Sequence, residues 1–75
     1  MVQEGMKSGV PDICIPISRG GYHSLYIELK HGKNKPTPNQ KCWLEMLNEH
    51  GNRAIVCHEF EGARAAILDY LALDI

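Results

Sequence analysis

Apolar and polar positions along this chain sort into five segments separated by turn residues. "DICIPI" (12–17) reads as a strand, because Pro11 biases Val10 toward extended backbone and Pro16 marks an edge position or a strand end. "SRGGYH" follows as a hairpin turn, with Gly20 and Gly21 supplying positive φ. "SLYIELK" (24–30) is a second strand, its Tyr and Ile suited to a pleated surface. After the loop "HGKNKP", Thr37 reads as a helix N-cap, with Pro38 at the first helical position and Gln40 three residues after the cap. The helix runs through "NQKCWLEMLNEH", with Trp43, Met46, Leu47 and His50 at helical spacing, and Gly51 ends it. "RAIVCH" (53–58) is a continuous apolar run, read as a buried strand. Residues 60–72 read as a last helix with Phe60, Ala63, Ile67, Tyr70 and Leu71 on one stripe. Residues 1–9 hold two glycines and little periodicity, which suggests a loop or a frayed helix end.

The order is strand, strand, helix, strand, helix. The first two strands pair as an antiparallel hairpin, and the strand–helix–strand unit requires a parallel crossover. The expected fold class is therefore α/β, a small mixed sheet with helices packed on it. At 75 residues it forms one domain, 1–75. A chain of that length leaves sheet edges and helix faces incompletely covered, so a two-fold homodimer is expected.

Charge changes this picture through its distribution. The formal net charge is only −1, yet Lys30, Lys33, Lys35 and Lys41 fall between Leu29 and Leu44 with His31 and no acid. The acids gather later, at Glu45, Glu49, Glu59, Glu61, Asp69 and Asp74. One side of the molecule could face phosphates while the whole stays near neutral. A solvated lysine-rich loop explains the same residues equally well. The three cysteines, Cys14, Cys42 and Cys57, contain no CxxC pair, which argues against a zinc knuckle or a redox motif. They fall in apolar runs, where free cysteine acts as a small hydrophobe, and point to a reduced, intracellular protein. No signal peptide or membrane span is indicated. His23, His31, His50 and His58 lack H-x-x-x-H spacing, and "HGKNK" lacks the spacing of a P-loop.

Chemistry concentrates in "GVPDICIPI" and "LYIELK". Alternation along a strand puts Glu28 and Lys30 on one face, roughly 7 Å apart, with Ile27 and Leu29 on the other. If the hairpin sets Asp12 near Glu28, two carboxylates converge beside one ammonium. Such carboxylates repel unless a cation or a proton sits between them. Hard oxygen ligands on strands suit Mg²⁺ or Mn²⁺ better than zinc. An adjacent lysine can orient a water and stabilise charge on a phosphate, the logic of metal-dependent phosphodiester hydrolysis. An isolated E-x-K is common and means only an exposed strand face. The functional reading gains because Pro-Asp leads directly into the first strand, and fifteen residues separate Asp12 from Glu28, a span that fits one hairpin.

"GVPDICIPI", "LYIELKHGKNKPTPNQKCWLEMLNEHG" and "AIVCH" together resemble the VRR-NUC family of the PD-(D/E)XK nuclease superfamily, over most of the chain from Gly5 onward. The resemblance implies a restriction-endonuclease-like core and Mg²⁺- or Mn²⁺-dependent DNA cleavage. It implies Asp12, Glu28 and the backbone carbonyl of Leu29 as metal ligands, Lys30 as the catalytic lysine and an active-site role for Gln40. That last role competes with helix capping, and the active-site reading is slightly preferred. Lys33, Lys35 and Lys41 would hold the DNA backbone. Family members carry a helix upstream of G-V-P-D with an active-site glutamate. Here Glu4 is the only acid before Gly9, and an exposed loop acid is the favoured reading of it. Without that helix, the site would be completed by a partner chain or an N-terminal extension. The expected substrate is branched DNA such as a four-way junction, cut by a homodimer, and the compact form suits a bacterial or phage protein. The competing class is a nucleic-acid-binding module that keeps the nuclease fold without catalysis; a small structural domain ranks third.

Overall fold

A computed structural model of the chain describes residues 8–75. The chain runs β1 (Ile13–Ile15), β2 (Leu25–Lys30), α1 (Pro38–Glu49), β3 (Arg53–His58) and α2 (Glu59–Leu71). This is the expected order and class. The strands form one sheet in the order β1-β2-β3. β1 pairs antiparallel with β2, Ile13 opposite Ile27 and Ile15 opposite Leu25. β3 pairs parallel with β2, from Leu25 opposite Arg53 to Lys30 opposite His58.

The expected elements shrink slightly at their ends. β1 covers three residues and stops before Pro16, which has no N–H to donate to a ladder. The hairpin turns at Gly20 (φ 57°) and Gly21 (φ 87°), where Arg19 and Tyr22 form the closing bridge. Thr37 caps α1 with a complete capping box. At the other end His50 is the cap residue, and Gly51 follows with φ 88°.

The two helices lie on opposite faces of the sheet. On the α2 face, Leu25, Ile27 and Cys57 pack with Ala63 and Tyr70, supported by Ile13, Ile15, Leu29, Ile55, Ala66 and Ile67. Leu25 and Ile27 are fully buried, each worth about 1.5–3 kcal/mol of transfer free energy. The Tyr70 hydroxyl is satisfied inside this face by donating to the Ile17 carbonyl at 2.7 Å. On the α1 face, Leu44, Leu47 and Ala54 are buried against Tyr26, Trp43, Met46 and Val56. The corner between α1 and β3 is closed by one side chain. Asn48 Nδ2 donates to the carbonyls of Leu44 (2.9 Å) and Ala54 (3.0 Å), and its Oδ1 accepts from the Ala54 amide at 2.9 Å.

Three expectations about burial are corrected. Phe60 is exposed and Leu71 is about a third exposed (36 %); the buried stripe of α2 is Ala63 and Tyr70, with Ala66 and Ile67 beside them. Phe60 lies in the first turn, which starts directly where β3 and the sheet beneath it end. His50 is exposed at the helix cap, and Leu44 takes its place on the buried face of α1. Cys14 and Cys42 are exposed, and only Cys57 behaves as a buried hydrophobe. Cys14 sits on an edge strand between two half-buried isoleucines, so alternation turns it outward. The reading of residues 1–9, and the question of Glu4, fall largely outside the described residues.

Candidate active site

The site grows out of the end of β2, where its two faces part company. Leu25, Ile27 and Leu29 all point to the α2 face. The alternate residues Tyr26, Glu28 and Lys30 point to the α1 face, and there the apolar pattern gives way to charge. Tyr26 still packs with the α1 cluster. Glu28, next on that face, is only 2 % exposed. Lys30 follows with its ammonium 3.6 Å from Glu28 Oε2.

Asp12 enters from β1. In the antiparallel register, Pro11 lies opposite Leu29, two positions beyond the Ile13–Ile27 pair. The Leu29 amide instead donates to Asp12 Oδ2 at 2.8 Å. Asp12 thus continues the ladder with its side chain, and that bond fixes one carboxylate oxygen against β2. Asp12 also acts on the Glu28 carboxyl. Burial holds Glu28 above the ordinary carboxylate range, Asp12 pushes the same way, and Lys30 opposes both. The convergence expected from the sequence is present: two carboxylates and one ammonium at the junction of β1 and β2.

Glu28 Oε1 is enclosed without a hydrogen-bond partner. Asp12 cannot supply one while both groups are ionised, because each only accepts. An enclosed, unpartnered carboxylate oxygen is costly in a purely structural site. A proton or a cation on that oxygen would relieve the cost, and burial together with Asp12 favours the protonated form. Among the described residues no cluster of three or more His, Cys, Asp or Glu side chains forms. The side chains gathered here are two hard carboxylates, Asp12 and Glu28, a donor type that suits a hard cation keeping several waters better than a soft metal.

Gln40 lies at the third position of α1. Its Oε1 accepts from the Thr37 amide at 2.8 Å, and Thr37 Oγ1 accepts from the Gln40 amide at 3.2 Å. The side chain is thus engaged in capping here, the reading ranked slightly below the active-site one, and its Nε2 stays outside the box. Lys33 and Lys35 are exposed in the loop after β2, and Lys41 is exposed early in α1. Trp43 packs in the α1 cluster, as expected.

Gly9 was missed as a positioning residue. Its φ is 95°, and a Cβ there would come within 2.9 Å of the Asn39 carbonyl carbon and the Gln40 amide nitrogen. The segment leading to Asp12 therefore lies hard against the start of α1, a contact reinforced by Asn39 Nδ2 donating to Ser8 Oγ at 2.8 Å. The signal was the glycine itself, three residues before the aspartate, but nothing local in the sequence says what approaches it.

The chain matches the family model for the VRR-NUC domain over residues 2–60. A solved structure described as a VRR_NUC domain protein superposes with a TM-score of 0.87 at 40 % sequence identity. That match covers 91 % of this chain and 57 % of the solved one, so this chain spans little more than half the length of that relative. No curated protein matches. The structural match extends beyond the stretch of the family model and takes in part of α2. With the fold, the two carboxylates and the lysine in the places described, the chain belongs to the VRR-NUC family and has its nuclease-type fold.

Proposed function

We propose that this protein is a metal-dependent DNA endonuclease that hydrolyses phosphodiester bonds. The observation that carries this reading is the buried Glu28 carboxylate, one oxygen 3.6 Å from Lys30 and the other without a partner, beside Asp12. Asp12, Glu28 and the Leu29 carbonyl would hold Mg²⁺ or Mn²⁺. When bound, the cation supplies Lewis-acid stabilisation of charge on the phosphate and lowers the pKa of a coordinated water.

The chain's own residues do the rest. Asp12 is aimed by the Leu29 amide, so one of its oxygens is pre-set and costs little to order when substrate arrives. Lys30, its side chain 16 % exposed, keeps its ammonium at the site and offers positive charge to a non-bridging phosphate oxygen. Its charge also counters the mutual repulsion of the carboxylates before the cation is bound. Lys33, Lys35 and Lys41 hold the strand through its phosphates, a sequence-independent contact.

The finer reading is a homodimer acting on branched DNA. Its support is the exposed apolar side chains of α2 and the residues after it: Phe60, Leu68, Leu71, Leu73 and Ile75. Exposed apolar groups along one helix and the residues that follow it favour self-association. Two copies would carry two Asp12–Glu28–Lys30 sets and meet two equivalent strands of a symmetric junction.

Incubation of purified protein with supercoiled plasmid and with a synthetic four-way junction tests the proposal. Nicking in Mg²⁺ that EDTA stops is the expected result. DNA that is bound but uncut in both Mg²⁺ and Mn²⁺ would replace the enzyme by a binding module. Light scattering on the same sample reads the oligomeric state, and a monomer mass at working concentration would remove the paired-cut mechanism.

A further inference from the structure

The loop that leaves β2 carries Lys33 and Lys35, and it is fastened from a distant part of the chain. Glu59 Oε2 accepts from the Gly32 amide at 2.6 Å, and Glu59 Oε1 lies 3.3 Å from His31 Nδ1. His58 Nε2 lies 3.3 Å from the Asn34 carbonyl oxygen, where a ring N–H donates. Both fastening residues come from the junction of β3 and α2, 24 to 28 positions further along the chain. The loop's own turn adds the Asn34 amide donating to the His31 carbonyl at 3.1 Å.

Glu59 is held at a backbone cost. Its φ is 63°, the only positive φ at a non-glycine position among the described residues. That conformation is strained for an ordinary residue and costs glycine almost nothing. The stability returned is small, since Glu59 and His31 are both mostly exposed to water. A carboxylate next to a DNA-binding loop also repels phosphate. Backbone strain, weak pairing and unfavourable charge all argue against glutamate here, unless its reach to Gly32 and His31 serves another end.

We propose that Glu59, assisted by His58, is a positioning residue that sets the lysine loop at the height where Lys33 and Lys35 meet the DNA backbone. The inference rests on the nuclease reading above. The Glu59 carboxylate does not touch the substrate; it fixes Gly32, two residues after Lys30 and one before Lys33. A loop ordered in advance loses less freedom when the DNA arrives, so the tether acts on binding.

The test compares Glu59→Gln, Glu59→Gly and His58→Ala with the parent chain. Glutamine keeps an oxygen for the Gly32 amide; glycine removes the tether and relieves the strain; both remove the charge. Binding to a labelled junction is measured in EDTA, cleavage in Mg²⁺, and amide hydrogen exchange at Gly32. Glu59→Gly is expected to speed exchange at Gly32 and to weaken DNA binding about tenfold, the worth of a hydrogen bond to a charged group. Thermal stability should be equal or higher, and KM should rise with kcat nearly unchanged. Glu59→Gln should stay within about twofold of the parent, because a neutral acceptor still holds the amide. His58→Ala, which leaves Glu59 in place, should weaken binding in the same direction. If Gly32 is released while DNA is bound as tightly as before, the positioning role is overturned and the nuclease reading stands. A parent chain that neither binds nor cuts DNA overturns the nuclease reading and this proposal with it.

Discussion

Two glutamates stand near the far end of β2, and they have opposite surroundings. Glu28 is buried, crowded by Asp12 and left with an unpartnered oxygen; its pKa is raised, chiefly by burial. Glu59 is exposed, with one oxygen on the Gly32 amide and the other beside His31; its pKa is lowered, chiefly by the Gly32 hydrogen bond. The well-served carboxylate is placed where water would have served it anyway. The poorly served one is placed where a proton or a cation would have to complete it. A carboxylate's contribution to function is read here from what it lacks.

The sharpest way to break the comparison is Glu28→Gln. Shape is kept and the charge is lost, so cleavage should fall by more than about a thousandfold, as for loss of a central catalytic group. DNA binding should persist. The metal-free protein should melt at an equal or higher temperature at neutral pH, because a buried charge crowded by Asp12 and only partly offset by Lys30 has been removed. Wild-type-like cleavage in clean protein would eliminate the site.

Lys30→Ala comes next. Loss of the ammonium should lower kcat about a hundredfold, the scale of one transition-state donor. Mn²⁺ binding measured by titration calorimetry should survive, since an ammonium opposes a cation. With Lys30 gone, nothing opposes burial and Asp12, so Glu28 should titrate still higher.

The smallest effect, and the most direct comparison, is the pH dependence of thermal stability without metal. Glu28 binds its proton more tightly folded than unfolded, so stability falls as pH rises from the ordinary glutamate value through the raised folded one. Glu59 does the reverse. Its contribution is present above the ordinary value and is lost as pH falls through its lowered folded value. The two windows lie on opposite sides of the ordinary glutamate pKa. Glu28→Gln should flatten the curve above that point, and Glu59→Gln should flatten it below. A single variant that alters both limbs would show that the two groups are coupled.

Much of this could be read from the chain because its strongest signals are local. Thr37, Pro38 and Gln40 specify a helix start with no help from the rest of the fold, and Gly20-Gly21 specify a turn the same way. Asp12 falls opposite Glu28 because one hairpin separates them, so register follows from the turn. Where burial depends on what lies beneath an element, the sequence was a poorer guide. Phe60 has the right periodicity for the core of α2 but is exposed in its first turn, directly after β3 ends. Cys14 is flanked by apolar residues yet faces outward from an edge strand. The tether from Glu59 to Gly32 could not be read at all. It joins residues 27 positions apart through a backbone amide, which carries no mark in the sequence. The same holds for the close approach of Gly9 to α1.

The Asn48 side chain bears on how the molecule comes together in time. It binds carbonyls of both α1 and β3 and the amide of Ala54, all across no more than six residues of chain. Closing so short a loop costs little entropy, whereas pairing β3 with β2 must first span the whole of α1. Local closure of this kind forms early in folding, and distant strand pairing follows it. The helix–strand corner from Leu44 to Ala54 would then form a nucleus that already sets the angle at which β3 meets β2. On that order of events Glu28, whose charge opposes burial, is enclosed only after the apolar framework around it is committed.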